Sequence, residues 1–172
     1  SNDSFFFNII YLLLSIAAMY ILSKKLSSFR LRYKSLFIFL WTFALGTIWV
    51  ISSQSAPTFD SFQVVNAASE AANGRFEFFN NDDRYFKDYS FQLGYVFFLE
   101  IIMRVANAVF KPENPLYLEV VNAFSLGVVN VCIVIITNLT MRDKKITTAV
   151  TLMLALSCAP ILSCSFIYGI LL

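Results

Sequence analysis

Histidine is missing from the 172 residues. Imidazole bases, His-based triads and His-ligated zinc sites are therefore excluded within this chain. Charge is scarce too: 14% of residues are charged and 58% are apolar, where a soluble domain carries about a quarter charged residues. Such a chain cannot wet a globular surface, which excludes an ordinary soluble domain. The net charge of +2 gives no footprint for nucleic acid. There are three cysteines, and Cys132, Cys158 and Cys164 all lie in apolar runs, where a thiol behaves as a small hydrophobe; they read as free thiols rather than disulfide partners or metal ligands. Repeats, low-complexity tracts and glycine-rich phosphate loops are absent, and no second folded domain is visible. The opening Ser1-Asn2-Asp3 is not basic and the apolar run behind it is too long for a signal peptide, so it reads as a retained span.

What is present is a series of apolar runs of membrane-crossing length, about 18 to 20 residues each, the first, second and last of them uncharged. The sequence predicts an all-α, polytopic transmembrane helical bundle with spans near 5–22, 35–51, 92–110, 118–137 and 146–164. The connector after the first span carries Lys24, Lys25, Arg30, Arg32 and Lys34 without an acid, which assigns it to the cytoplasm under the positive-inside rule and the N-terminus to the outside. Trp41 and Trp49 stand toward the ends of the second span. Strict alternation then places Arg142, Lys144 and Lys145 outside, against the same rule. Either that loop tolerates its charge or the runs 92–110 and 118–137 do not both cross, and the former is the expectation. Pro160 lies near the middle of the last uncharged run, which continues to Leu172. The chain reads as the N-terminal part of a longer protein.

The long loop 52–91 is expected to be external. It is acidic, with Asp60, Glu70, Glu77, Asp82, Asp83 and Asp88 against Arg75, Arg84 and Lys87, and it exceeds the length at which loops are mere connections. Within it, Pro57 with Thr58 or Asp60 is a helix start and Asn73-Gly74 a stop. The helix between them is expected to lie juxtamembrane, along the surface, with Phe62, Val65 and Ala72 beside Ala68 on one face. Phe78, Phe79, Tyr85, Phe86 and Tyr89 read as interfacial anchors that are also able to stack on a sugar or prenyl chain.

Three groups of residues could carry chemistry. Asp60, at the head of that helix, is placed to act as a general base on an acceptor hydroxyl at the membrane surface, and equally to cap the helix. Glu100 and Arg104, at i and i+4, can pair within the third span, either to hold the bundle together or beside a site. Asp82-Asp83 offer oxygen donors to a divalent cation, although a solvated turn accounts for them more simply.

The stretches Pro57-Thr58-Phe59-Asp60-Ser61-Phe62-Gln63-Val64-Val65-Asn66-Ala67-Ala68 and Tyr85-Phe86-Lys87-Asp88-Tyr89-Ser90-Phe91-Gln92-Leu93-Gly94, with the span holding Glu100 and Arg104, resemble bacterial GT-C-fold glycosyltransferases. These are multi-span relatives of protein mannosyltransferases and aminoarabinose transferases. The closing Ser165-Phe166-Ile167-Tyr168-Gly169 is also similar to a segment of such proteins. Ser90 stands where proline is usual, an extra span precedes the usual first one, and one Asp replaces the paired acids, which bears on metal binding more than on base catalysis. The resemblance implies transfer of a sugar from a polyprenyl-phosphate donor to a cell-surface glycan, lipid or protein acceptor on the outer face, with inversion. It makes Asp60 the catalytic base and Arg84, Lys87, Tyr89, Gln92, Glu100 and Arg104 the substrate-binding candidates. Solvated loop charge is the competing account of Arg84 and Lys87. No metal ligand set is assigned, and the cofactor is left open between none and a divalent cation. The rival reading is a non-catalytic transporter or flippase component for polysaccharide or lipid export, with Glu100 and Arg104 lining a pathway; a truncated, inactive remnant is the third.

Overall fold

The computed structural model describes residues 17–54, 57, 59–76, 85–110 and 116–165. Among them every regular element is helical and none is a strand. The helices are α1 (17–26), α2 (Leu31–Ser53), α3 (Phe59–Ala72), α4 (Tyr85–Asp88), α5 (Gln92–Val109), α6 (Leu116–Met141), α7 (Lys144–Leu156) and α8 (Ala159–Leu162), the last followed by a 3-10 turn, Ser163–Ser165. Most of the first expected span lies outside the described residues.

Three helices, α2, α5 and α6, are long and apolar enough to cross a membrane, and α7 with Ala159–Ser165 qualifies only as a broken pair. The apolar runs expected at 35–51, 92–110 and 118–137 thus become helices, two of them longer than expected. At 1.5 Å per residue the 26 residues of α6 reach about 39 Å, more than the ~30 Å of hydrocarbon. Outward faces carry Leu36, Leu40, Ile48 and Ile51 on α2 and Ile101 and Val105 on α5. Exposed apolar rows of this kind suit contact with lipid.

The chain divides into two compact units, 1–43 with 127–158 and 44–126 with 159–172. In the first unit, α7 follows α6 after two residues. Asp143 caps α7, its carboxylate accepting from the backbone N–H groups of Lys145 (2.6 Å) and Ile146 (3.4 Å). Arg142 adopts the left-handed conformation (φ 52°) that ends α6. Lys34 Nζ donates to the carbonyl of Lys144 at 3.2 Å, and Trp41 Nε1 to that of Ala155 at 2.9 Å. Two contacts in the same order along both helices mean that α2 and α7 run in the same direction. Asn130 Nδ2 donates to Thr42 Oγ1 at 3.0 Å in a buried bond between α6 and α2.

Strict alternation of five crossings would separate the 24–34 connector from Arg142, Lys144 and Lys145; within this unit the Lys34–Lys144 bond brings the two basic segments to one end. The charge that violated the positive-inside rule now sits beside the charge that defined it.

In the second unit, α3 packs along α5. The buried cluster comprises Val64, Ala67, Ala68 and Ala71 from α3, Tyr95, Val96, Leu99 and Met103 from α5, and Leu118 from α6. The buried face of α3 is its alanine stripe, and the Phe62 ring is exposed. Val65 and Ala72 border the cluster. Small side chains let the two backbones approach closely, and that docking outweighs burying one large ring. The stop at Asn73-Gly74 is present: Gly74 takes φ 77°, its N–H bonds to Ala71 O, and Arg75 N–H reaches back to Glu70 O, both at 2.9 Å. This is the Schellman arrangement, which needs a residue tolerant of positive φ.

Close approach also governs α2 and α6. A Cβ added at Gly46 would lie 2.7 Å from Ala123 Cβ, and one at Gly127 3.0 Å from the Phe39 ring. In a bilayer, where lipid competes equally for apolar surface, such small-residue contacts are a main source of helix association. Gly46→Ala is expected to lower the stability of the purified protein by about 1–3 kcal/mol through overpacking. Adding Ala123→Gly should recover most of the loss, as read from thermal unfolding in one detergent.

Candidate functional site

The sequence-derived candidates fall in the second unit, apart from Arg84 and the Asp82-Asp83 pair, which lie outside the described residues, as do Phe78 and Phe79. Asp60 is in the first turn of α3, half-buried, seven residues after α2 ends. An acid there complements the positive end of the helix dipole. Its carboxylate makes no hydrogen bond or ion pair among the described residues, so it is not occupied as a cap there. The preceding Phe59 has φ 48° and a ring 89% exposed. A bulky residue in the left-handed region is a backbone outlier, held where the chain turns into α3.

Arg104 is engaged elsewhere. Its Nε donates to Glu100 Oε1 at 2.9 Å and its Nη2 to Ala71 O at 2.8 Å. The expected i, i+4 pair therefore forms, and it reaches across to the carbonyl that also accepts from Gly74. A guanidinium suits this double duty because its donors form a planar fork, and a cation stabilises the negative end of α3. Asp60 and Ala71 are separated by roughly 16 Å of helix. Arg104 and Asp60 are accordingly at opposite ends of α3, not in one cluster.

Lys87 and Tyr89 stand beside the start of α5. Lys87 is exposed on the single turn α4. The Tyr85 ring lies 4.9 Å from Phe86 and 5.0 Å from Tyr89, whose own ring is 6.1 Å from Phe91. The segment read as interleaved interfacial anchors is thus an aromatic knot feeding α5.

Gln92 begins α5 and is fully buried, with neither amide atom partnered among the described residues. One turn on, Tyr95 donates its hydroxyl to Asn122 Oδ1 at 3.1 Å, and Asn122 Nδ2 donates to the carbonyl of Cys164 at 3.3 Å. Glu119, one turn before Asn122 on α6, is 1% exposed, and its Oε2 also lacks a partner among the described residues. Unsatisfied buried polar groups are costly and uncommon, so Gln92 and Glu119 mark where a polar ligand would recover the missing bonds. Sequence reasoning singled out Gln92 but not Glu119, Tyr95 or Asn122. The usable signal was a carboxylate in the second position of an otherwise apolar run.

No group of three or more His, Cys, Asp or Glu able to hold a metal occurs among the described residues. All three cysteines are free, Cys164 buried and the others exposed. In comparisons with known proteins, the chain matches no family model, no curated protein and no solved structure.

If Arg104 clamps α3 onto α5, Arg104→Met should cost about 1–3 kcal/mol, the range for a hydrogen bond to a charged group. Amide exchange should accelerate at Ala71–Arg75, with little change in α6. Arg104→Lys should restore only part of the protection; full protection in Arg104→Met would remove the clamp.

Proposed function

We propose that the chain is a membrane-embedded portion of GT-C-type glycosyltransferase machinery, moving a sugar from a polyprenyl-phosphate donor to an acceptor hydroxyl outside the cell. The observation that carries the reading is Asp60: a half-buried carboxylate without a structural partner among the described residues, near the end of an apolar helix of membrane-crossing length, on a helix docked in place. In the reaction Asp60 accepts the proton of the acceptor hydroxyl. The oxygen forms a bond to the anomeric carbon as the bond from that carbon to the phosphate oxygen breaks. The polyprenyl phosphate leaves with the electron pair, and the configuration inverts.

Gln92 and Glu119 support this reading as hydrogen-bonding groups for sugar hydroxyls, with Tyr89 available to stack. Lys87 would neutralise the departing phosphate, the role the resemblance also gives Arg84. Arg104 takes a positioning role through α3. That occupation also weakens the rival transport reading, which needed Glu100 and Arg104 along a pathway.

The membrane side we infer is read within the first unit, where the start of α2 and the end of α6 share one end. Both basic connectors then face the cytoplasm, as the positive-inside rule requires.

Asp60→Asn should reduce transfer at least about 100-fold, the lower range for loss of a general base, while leaving the protection of α3 intact. The assay uses labelled polyprenyl-phosphate sugars on the native reading frame. Unchanged transfer would remove Asp60 from the chemistry, and no product with any donor would favour the transport reading. The membrane side is checked separately with single cysteines at Lys25, Arg75 and Lys145 in a background lacking the native thiols. An impermeant maleimide on intact cells is expected to label only the Arg75 position; labelling at Lys145 would exclude the assignment.

A further inference from the structure

We propose that the first unit binds one anionic phospholipid, with an acyl chain in an apolar groove beside α7 and its phosphate on the basic rim. The groove is a cavity of about 300 Å³ whose apolar wall includes Leu26, Phe29, Phe37 and Leu152. This is roughly twice the volume of the ~150 Å³ apolar cavity that takes up benzene, enough for part of one hydrocarbon chain. Thr148 and Thr151 also line it, but their hydroxyls donate to the carbonyls of Lys144 (2.7 Å) and Thr147 (2.8 Å), so neither hydroxyl needs a ligand.

The rim is polar and of one sign. Lys34, a lining residue only 7% exposed, donates to Lys144 O and, at 3.5 Å, to Ser27 O. No carboxylate lies within ion-pair distance of it among the described residues. An ammonium has three donors, so one is left for an anion. Tyr33, also lining the cavity, bonds through its hydroxyl to Arg32 Nη2 at 2.8 Å, and the Arg32 guanidinium stands 4.7 Å from the ring centroid. That holds a second cation against a lining ring. The neighbouring carboxylate, Asp143, is engaged with the α7 backbone. A buried cation lacking a counter-ion among the described residues, a second cation held against a lining tyrosine and a chain-sized apolar groove match an amphiphile whose head is an anion. In a bilayer, anionic lipid supplies that head at the cytoplasmic surface, where the positive-inside rule assigns these connectors.

The purified chain in detergent is exposed to vesicle lipids and the retained lipid read by native mass spectrometry. Phosphatidylglycerol should be retained at least about tenfold over phosphatidylcholine of identical chains, in line with two cations near one phosphate. Arg32→Gln, at an exposed position, should erase most of that preference. Leu152→Trp should reduce retention of both lipids without lowering thermal stability. Equal retention of the two lipids overturns the proposal, as does displacement by soluble glycerol phosphate, which has no chain. Stronger retention of a polyprenyl phosphate would overturn the choice of a phospholipid.

Discussion

Backbone polarity at a broken helix is the constraint on which the rest of the structure depends. Pro160 has no N–H to give, and the helix stops at Leu156 and restarts at Ala159. In hydrocarbon each carbonyl left without a donor costs several kcal/mol. A side chain from α2 supplies one such donor, Trp41 bonding to Ala155 O just before the break. Beyond it, Trp49 donates to Leu162 O at 3.1 Å and Asn122 to Cys164 O. The glycines and alanines of α2 and α6 let those helices approach closely. Breaking one helix thus gives a tryptophan of another a partner.

This constraint connects to the candidate site through Asn122. Its amide nitrogen serves the broken helix and its oxygen accepts from Tyr95, so one side chain ties the last helical segment to α5. Gln92 and Glu119 lie one turn from this link, buried and unsatisfied among the described residues. A rigid, fully bonded pair beside two groups lacking partners is the combination expected where a polar ligand is held by a prepared frame.

Much of the fold was legible in the sequence because apolar runs report helices directly. The limits of α3 were legible for a local reason, since Asn73-Gly74 supplies a left-handed residue that only a few side chains tolerate. Its buried face was not, because alanines carry weak hydropathy and their value appears only when another backbone comes close. The hydrogen bonds of the tryptophans were not legible, because their acceptors are main-chain carbonyls 114 and 113 residues away. The shared end of the two basic segments was hidden for the same reason. For the site, the position of Asp60 could be read from the helix start. The partner of Arg104 could not, since Ala71 contributes only a main-chain oxygen and leaves no trace in the choice of side chain.

A helix docked through alanines has little to stop it from turning about its own axis, since methyl groups offer no interlocking teeth. The Arg104 bond to Ala71 O adds the missing stop. It pins the azimuth of α3 at one end and, because an α-helix is stiff in torsion, sets the compass bearing of the Asp60 carboxylate at the other.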